Sequence, residues 1–389
     1  MKPLCAIACG GTGGHLFPGV TIAEELLRRS CDVLLLVSPK EIDQQAVQSL
    51  RGLQVATLPA VGLDRGRVLP FLVGFGKSWQ VSHRLFRERR PQLVLAMGGF
   101  TSAPPVLAGK VCGAATFLHE SNAVPGRANR WLAHVVHQGF IGFPSAASRL
   151  RHPNVLLTGT PVRSEFQPFD ADAARVALGL QAQRPVLLVM GGSQGASGIN
   201  SLVLQSLPEI TAALPNVQFL HLTGVAEAAK VQAAYAELKL KAVVRPFLTE
   251  MELALASATV AVSRAGASSL AELAAMRLPS ILIPYPTAAD NHQFFNARVF
   301  ADSGAAFLLE QRPATAASLA AAVIRLARDE PAHRVMAEAL ARWHAPQAAG
   351  LIAEHMLRLM DALDYGQWEA LKKPAPAAPP RPRWQSVSA

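Results

Sequence analysis

One histidine stands beside a dense set of glycines near the start of the chain, in the stretch GGTGGH at residues 10–15. An imidazole can take up a proton near neutral pH, and glycines let a phosphate or a sugar approach the backbone closely. An apolar run precedes the stretch and a helical pattern follows it, a layout that points backbone N–H groups at an anion. A tight turn without a ligand is the alternative, since the stretch matches neither the Walker pattern nor a clean GxGxxG.

Three stretches in the second half of the chain suggest related chemistry. The stretch GGSQG at residues 191–195 again follows an apolar run. Residues 263–273 begin a helix with small hydroxylic side chains, whose N–H groups and hydroxyls can meet phosphate oxygens. Within it, Glu272 can accept hydrogen bonds from sugar hydroxyls, and a solvent-facing glutamate is the alternative. The amides at residues 290–293 and at Asn296 suit a polyhydroxylated ligand, because each amide both donates and accepts.

Short apolar runs that alternate with helical patterns must hold these stretches in place. Such runs indicate parallel sheets covered on both faces, and ligands bind outside the carboxyl ends of their strands. We therefore predict an α/β protein with two doubly wound, Rossmann-like domains facing across a cleft. The predicted strands are residues 4–9, 33–37, 54–58, 93–97, 115–119, 185–190, 217–222, 242–245, 259–262 and 280–284. The predicted helices include residues 41–50, 105–111, 173–180 and most of 313–371.

The composition limits the class of protein. A chain of 389 residues suggests two domains, and 50% hydrophobic with 16% charged residues is typical of a globular protein. The formal net charge of +10 suggests an anionic partner, whether a nucleic acid, an acidic bilayer or a phosphorylated substrate. The four cysteines lack metal-ligand spacing and are expected to be buried thiols of a reducing compartment. Without a secretory signal or a run of ~18 apolar residues, the sequence favours a cytosolic or surface-attached protein.

Residues 60–90 differ in character from the rest of the first half. Residues 61–90 contain seven Lys or Arg against two Asp or Glu, beside a cluster of apolar and aromatic side chains. Apolar side chains with a basic rim suit an anionic membrane surface. An ordinary packed helix with a solvated basic face is the alternative.

Seven motifs follow one another along the chain: GGTGGH with Pro18, GGF at 98–100, HESN at 119–122, GTPVR at 159–163, GGSQG at 191–195, SRAG at 263–266 and DNHQ at 290–293. In this order they resemble a family of two-domain, B-fold (GT-B) glycosyltransferases, over nearly the whole chain up to its proline-rich end. The family transfers N-acetylglucosamine from UDP-N-acetylglucosamine to the 4-hydroxyl of undecaprenyl-diphosphate-linked muramyl-pentapeptide, converting lipid I to lipid II in bacterial peptidoglycan synthesis. The resemblance implies this hexosyltransferase activity, with both compounds as substrates.

The resemblance also implies which residues contact the donor. The positions that match the family's UDP-N-acetylglucosamine contacts are Thr12, Gly13, Gly14, Asn122, Arg163, Ser193, Leu248, Ser268, Ser269, Glu272 and Gln293. Of these, Ser193 is expected at the diphosphate, Leu248 at the uracil and Glu272 at the ribose hydroxyls. Thr160 stands where many relatives have asparagine, a departure that could shift the preference for the acceptor.

The implied mechanism inverts the sugar configuration in one displacement. The acceptor hydroxyl attacks the anomeric carbon while UDP leaves from the opposite face. His15 is the candidate general base, with a structural histidine as the alternative. Helix N-termini, loop amides and Arg163 can stabilise the diphosphate charge, so no metal and no cofactor are expected. The DAD motif at residues 170–172, which resembles a metal-holding motif, is interpreted as an N-cap because a helix follows it.

The predicted organisation has two domains and a tail. Residues 1–163 form an acceptor- and membrane-facing domain, with a helix at about 343–371 packing back on it. Residues 164–342 form the UDP-sugar-binding domain, and residues 372–389 form a disordered, proline-rich tail. The protein is expected on the cytoplasmic face of the bacterial inner membrane, bound peripherally through residues of about 61–90.

Three other functions compete with this interpretation. A UDP-N-acetylglucosamine 2-epimerase shares the two-domain architecture and needs neither acceptor nor membrane patch. A nucleic-acid-binding protein would explain the net charge, but the basic residues are spread and no nucleic-acid motif occurs, so no nucleic-acid partner is expected. An NAD-dependent dehydrogenase would need an acidic ribose-binding residue after a GxGxxG, and the sequence shows none in a clear position.

Overall fold

The computed structural model describes residues 2–11, 13–40, 43–44, 53–60, 68–192 and 195–364 of the chain. The chain divides into two units. The first comprises Met1–Arg163 together with Ala345–Ala389, and the second is Ser164–His344.

The first unit is built on a parallel sheet in the order β3-β2-β1-β4-β5-β6-β7. Its described strands are β1 (Leu4–Ala8), β2 (Asp32–Val37), β3 (Gln54–Thr57), β4 (Leu93–Ala96), β5 (Ala115–Glu120), β6 (Gln138–Ile141) and β7 (Val155–Leu157). The helices that alternate with them are α1 (Gly13–Arg28), α2 (Val68–Arg89), α3 (Ala103–Val111), α4 (Arg127–Leu132) and α5 (Ala146–Leu150). Strands β1 and β4 are continuous apolar runs, β2 is apolar after Asp32, and every residue of β5 is buried, because helices cover both faces of the sheet.

The second unit repeats this plan in the order β10-β9-β8-β11-β12-β13, again with parallel pairing. Its described strands are β8 (Val186–Met190), β9 (Gln218–Leu222), β10 (Ala242–Arg245), β11 (Val260–Ser263), β12 (Ser280–Leu282) and β13 (Phe307–Leu308). Its α-helices are α6 (Ala171–Ala177), α7 (Ser197–Ala213), α8 (Ala228–Glu237), α9 (Met251–Ser257), α10 (Ala267–Ala275), α11 (His292–Asp302), α12 (Ala316–Arg328) and α13 (Glu330–Ala341). The predicted fold class, two doubly wound α/β units, is therefore confirmed.

The last described helix, α14 (Ala348–Asp364), belongs to the first unit. Ile352 and Met356 of α14 are fully buried in the same apolar cluster as Leu26 of α1. Just before this helix, Trp343 remains in the second unit, because its ring stacks on Phe300 with 4.8 Å between the ring centroids. Its indole N–H donates to the hydroxyl of Ser303 at 2.8 Å.

The predicted strands agree with the observed ones to within two residues at each end. Three short strands, β6, β7 and β13, were not predicted from the sequence. Most of the predicted helix 41–50 and the tail 372–389 lie outside the described residues. The N-cap at Asp170 is confirmed, since its carboxylate accepts from the backbone N–H groups of Asp172 and Ala173.

The cysteines are thiols rather than disulfides. Cys5, Cys9 and Cys31 are buried, as expected, and Cys112 is half-buried. Burial raises the pKa of the Cys5 and Cys9 thiols, so both stay protonated at neutral pH. Neither thiol has the lowered pKa that a nucleophilic cysteine needs.

Candidate functional site

In both sheets the strand order reverses direction beside the first strand of the unit. Strand β1 lies between β2 and β4, and β8 lies between β9 and β11. At such switch points the loops after the two central strands diverge and leave a crevice where ligands bind. The glycine stretches that begin at residues 10 and 191 leave β1 and β8 at these two points, so the sequence motifs and the topology indicate the same places.

The first glycine loop is held by hydrogen bonds on several sides. The N–H of Gly11 donates to the buried carboxylate of Asp43 at 2.6 Å, and Lys40 Nζ donates to the carbonyl of Gly11 at 3.1 Å. The hydroxyl of Thr101 donates to the carbonyl of Gly10 at 2.7 Å. A Cβ at Gly10 would overlap the backbone nitrogen of Ser38, so only glycine fits there.

His15 lies in the first turn of α1 and packs against the loop that follows β4. A Cβ at Gly98 would stand 3.0 Å from His15 Nε2, and one at Gly99 would stand 3.2 Å from Nδ1. Both glycines have positive φ angles, 107° and 77°, which glycine adopts without strain. These glycines thus leave room for the ring, which is half-buried.

A second histidine, His119 at the end of β5, is fully buried near His15. Its Nε2–H donates to the carbonyl of Gly159 at 3.0 Å, and its Nδ1 accepts from the hydroxyl of Ser121 at 3.2 Å. The pKa of His119 is lowered to about 4, mainly by burial; the hydrogen bond to Gly159 opposes this shift, and the nearby His15 adds to it. His119 is therefore neutral at physiological pH and suits a positioning role rather than proton transfer.

The depressed pKa of His119 predicts acid sensitivity. Its ordinary pKa is 6.5 and its folded value is about 4, so between these values the unfolded chain binds a proton that the folded chain does not. Stability is then lost as the pH falls through this window, by about 2 kcal/mol between pH 7 and pH 5. Urea unfolding of a His119→Gln variant should show a weaker fall than wild type, while the exposed His134→Gln control should follow wild type. Equal falls in all three would contradict the prediction.

Asn122, a predicted donor contact, is held by the buried carboxylate of Glu120. One oxygen of Glu120 accepts from the backbone N–H of Asn122 at 2.8 Å and from its side-chain amide at 3.0 Å. The other oxygen accepts from the N–H of Gly126 at 2.9 Å and from the amide of Asn129 at 3.0 Å. The carboxylate thereby sets the course of the loop after β5 and the orientation of the Asn122 side chain.

The other predicted contacts of the first unit lie near the same sheet edge. Gly13 and Gly14 open α1, and the N-terminus of a helix favours an anionic ligand. The guanidinium of Arg163 stands over the ring of Phe17, with 5.0 Å between its central carbon and the ring centroid. Phe17 belongs to α1, so this cation–π contact ties Arg163 to the helix that carries His15. Thr12 lies outside the described residues.

In the second unit, α10 begins directly after β11 with an N-cap that has no side chain, Gly266. The first N–H groups of this nine-residue helix can therefore meet an anion, and its dipole favours one. Ser268 and Ser269 stand in its first turn and Glu272 in the next, all three half-buried. The phosphate contacts of Ser268 and Ser269 and the ribose contact of Glu272 stay predictions. Ser193 lies outside the described residues.

Leu248 follows β10, and Gln293 lies in the first turn of α11, after β12 of the same sheet. Leu248 lines a cavity of about 480 Å³ together with Arg245 and Glu250. The side-chain oxygen of Gln293 accepts from the N–H of Tyr285 at 3.0 Å. Its amide NH₂ is thus the end that can donate to a sugar hydroxyl.

Asn296 corrects one expectation from the sequence. It was grouped with the amides that could recognise a ligand, but it is fully buried. Its side chain donates to the carbonyl of Ala265 at 3.1 Å and so stabilises the turn that leads into α10. The side chain of Asn296 therefore stabilises the fold and is not exposed to a ligand.

Arg264 adds a positive charge near the start of α10. Its guanidinium donates to the carbonyls of Ile283 and Pro284 at 3.0 and 3.1 Å, and it stands over the ring of Tyr285. Burial lowers its pKa to about 10, which still leaves it protonated at neutral pH. Arg264 therefore couples the turn before α10 to the loop after β12 and places a positive charge near the start of that helix.

Sequence reasoning assigned no role to several of these groups. Asp43 is the clearest case, because an aspartate in a predicted helix gives no sign that it supports a glycine loop 32 residues earlier. His119, Glu120 and Arg264 did lie in recognised motifs, so their motif membership was a usable signal. What they do locally follows only from their burial and partners.

Comparison with known proteins agrees with this description. Residues 5–141 match the glycosyltransferase family 28 N-terminal domain, and residues 186–352 match the family 28 C-terminal domain. A protein of Anaeromyxobacter dehalogenans is 36% identical over 97% of this chain and 98% of its own length. One of Moorella thermoacetica is 37% identical over 92% of this chain and 99% of its own. Both are named UDP-N-acetylglucosamine–N-acetylmuramyl-(pentapeptide) pyrophosphoryl-undecaprenol N-acetylglucosamine transferase.

The chain belongs to the MurG family of glycosyltransferases. A solved MurG of Acinetobacter baumannii superposes with a TM-score of 0.71 over 92% of this chain and all of that one, at 24% identity. A UDP-N-acetylglucosamine 2-epimerase superposes with a TM-score of 0.67 at 12% identity, covering 94% of this chain and 97% of its own. These structural likenesses show the shared fold, whereas the sequence relatives place the chain in the MurG family rather than with the epimerases.

Proposed function

We propose that this protein transfers N-acetylglucosamine from UDP-N-acetylglucosamine to the 4-hydroxyl of undecaprenyl-diphosphate-linked muramyl-pentapeptide, the step from lipid I to lipid II. The observation that carries the proposal is the similarity, over nearly the full length, to relatives named for this transfer. The two substrates of the proposed reaction are UDP-N-acetylglucosamine and the lipid-linked muramyl-pentapeptide.

The second unit supplies the proposed donor site. The start of α10 would hold the phosphates through its N–H groups and Ser268 and Ser269, and Ser193 would contact the diphosphate. Glu272 would accept hydrogen bonds from the ribose hydroxyls. The backbone at Leu248 would meet the uracil, and the amide NH₂ of Gln293 would donate to the sugar.

The first unit supplies the proposed general base and further donor contacts. His15 would take the proton of the acceptor hydroxyl as its oxygen forms a bond to the anomeric carbon. The bond from that carbon to the UDP oxygen breaks at the same time, and the electron pair leaves with UDP. Arg163, Asn122 and the backbone of Thr12, Gly13 and Gly14 would stabilise the donor and the charge that develops on its diphosphate.

A transfer assay tests the proposal directly. Wild-type protein should move labelled N-acetylglucosamine from UDP to a lipid-linked muramyl-pentapeptide, and we expect the same rate with and without EDTA. Formation of labelled UDP-N-acetylmannosamine in the absence of acceptor would instead support the epimerase and overturn the proposed transfer. Absence of both products would leave only the family and the fold.

The long helix α2 supports a peripheral membrane position. Gly74, Ser78 and Ser82 are buried on one face of α2, and Phe86 follows them near its C-terminal end. Small residues therefore face the unit along the part of the helix before Phe86. Large apolar side chains face outward, with 76% of Leu69, 58% of Leu72 and 51% of Val73 exposed. Such an inverted distribution does not suit an exposed face in water but suits insertion among acyl chains.

Basic residues on α2 fit the same position. Arg84, Arg87 and Arg89 are exposed near its C-terminal end, and Lys77 is exposed in its middle. They would attract the anionic phospholipids of the inner membrane's cytoplasmic leaflet. Among the described residues, no helix combines the length and apolar character that crossing a bilayer requires.

We expect a variant with Leu69→Ser, Leu72→Ser and Val73→Ser to bind vesicles at least tenfold more weakly than wild type. Each inserted aliphatic side chain contributes about 1.5–3 kcal/mol when it leaves water. Co-sedimentation with vesicles of anionic and of zwitterionic phospholipids measures the effect. The control is Val335→Ser in α13, since Val335 is equally exposed, at 60%, but lies in the second unit. Unchanged binding of the triple variant would place the membrane contact elsewhere.

A further inference from the structure

A chain of buried polar side chains lies beside the second glycine loop. The hydroxyl of Tyr235 is 3.2 Å from His221 Nδ1, and His221 Nε2 is 3.1 Å from the side-chain oxygen of Asn200. The amide nitrogen of Asn200 is 3.0 Å from the carbonyl of Thr223 and 2.6 Å from the carboxylate of Glu227. Tyr235, His221 and Asn200 are at most 1% exposed.

The direction of every hydrogen bond in this series of side chains follows from the two acceptors at its end, the carbonyl of Thr223 and the carboxylate of Glu227. A carbonyl and a carboxylate can only accept, so the NH₂ of Asn200 must face Thr223 and Glu227. The oxygen of Asn200 then faces His221, whose Nε2 must carry the proton. His221 Nδ1 is therefore an acceptor, and the hydroxyl of Tyr235 donates to it.

The ionisation of the two rings agrees with this assignment. Burial lowers the pKa of His221 to about 3, so the imidazole is neutral at physiological pH. Burial also raises the pKa of Tyr235, so the phenol keeps its proton. Both rings thus stay neutral, which is the state that this series of hydrogen bonds requires.

The peptide at Thr223 and Gly224 joins two segments that the proposed function assigns to the donor. A Cβ at Gly195 would overlap the carbonyl of Thr223, so the glycine loop rests directly on this peptide. On the other side, the N–H of Thr223 donates to the carbonyl of Arg245 and that of Gly224 to the carbonyl of Pro246, both at 3.0 Å. The segment that starts at Arg245 and Pro246 continues into Leu248.

We propose that Asn200, oriented by His221 and Tyr235, is a positioning residue. It holds the glycine loop that ends at Gly195, the proposed diphosphate contact, in register with residues 245–248, the proposed uracil segment. This inference rests on the proposed function. The side chain of Asn200 fixes the Thr223 carbonyl on which Gly195 lies. The N–H groups of Thr223 and Gly224 in turn hold the uracil segment at Arg245 and Pro246. Loss of the orientation loosens both segments and weakens nucleotide binding without touching the acceptor.

A matched pair at His221 tests the proposal. In His221→Gln, an amide NH₂ can replace the Nε2–H donor to Asn200, and in His221→Leu no donor remains. Isothermal titration with UDP should give a Kd about tenfold higher for His221→Leu and within about twofold of wild type for His221→Gln. Tyr235→Phe, which removes one oxygen, should raise the Kd several-fold and serves if His221→Leu does not fold.

The control is Ser206→Ala, on the same helix as Asn200. Ser206 is fully buried and its hydroxyl lies 2.7 Å from the carbonyl of Leu202 and 3.0 Å from that of Ala316, away from the loop. This variant should lower the melting temperature and leave the Kd for UDP unchanged. In turnover, the His221→Leu and Tyr235→Phe variants should raise KM for the UDP-sugar and leave KM for the acceptor as in wild type.

Two results would overturn the positioning role alone: equal Kd values for His221→Leu and His221→Gln, or a wild-type Kd for Tyr235→Phe. A rise of both KM values together would also overturn it, since that result indicates general loss of structure. Absence of UDP binding by the wild type would overturn the proposed function and this inference with it.

Discussion

Replacing His15 by alanine is expected to lower kcat for N-acetylglucosamine transfer about 100-fold, because a positioned general base contributes at least that factor. The ring lies against Gly98 and Gly99 at the switch point of the first sheet, half-buried and in reach of a ligand. Steady-state transfer assays at saturating donor and acceptor measure the change. The Kd for UDP should stay near the wild-type value, since the proposed nucleotide contacts lie mainly in the second unit.

The matched control for this variant is His134→Ala, an exposed histidine of the same unit. It should transfer at the wild-type rate. A kcat of His15→Ala within a few-fold of wild type would return His15 to a structural role against the two glycines. A lowered melting temperature with normal kcat would support that structural interpretation.

Replacing Glu272 by alanine is expected to raise the Kd for UDP by about 10- to 100-fold. Hydrogen bonds that involve a charged group contribute about 1.5–3 kcal/mol each, and a carboxylate can accept from both ribose hydroxyls. Glu272 is half-buried in the second turn of α10. Glu209→Ala on α7 is the control, because that glutamate is exposed on a helix of the same unit and should have no effect.

A comparison of two nucleotides separates ribose recognition from a general loss of the site. Wild-type protein should bind UDP more tightly than 2′-deoxy-UDP, and the Glu272→Ala variant should bind both with similar Kd values. If the variant still discriminates as strongly as wild type, the ribose contact belongs to another residue. If neither protein discriminates, Glu272 acts on some other part of the donor.

The outline of the fold was accessible from the sequence for a simple reason. Strands β1 and β8 are continuous apolar runs that end in glycines, and this pattern needs no tertiary information to be recognised. The missed strands carry a weaker signal. Strand β6 contains a glutamine and a glycine, and β13 has two residues, so their pairing with neighbours rather than their composition makes them strands.

The residues of the candidate site likewise fall into those that local sequence patterns predict and those that only the tertiary structure identifies. The positions of the loops after β1, β8 and β11 follow from local patterns. Gly13 and Gly14 lie at the start of α1, and Ser268, Ser269 and Glu272 lie in the first two turns of α10. The groups that orient them come from distant parts of the chain. Asn296 changed from a candidate ligand contact to a structural amide once its burial was known.

By itself the sequence determined the two-unit α/β plan, the glycine turns at the strand ends and, through its motifs, the family. Tertiary structure alone decided which face of α2 is buried, because its apolar and basic residues allow either orientation until Gly74, Ser78, Ser82 and Phe86 pack on the unit. It also decided the roles of Asp43 and His221. A buried polar group acquires its function from its partners, and those partners lie 32 and 21 residues away in the chain.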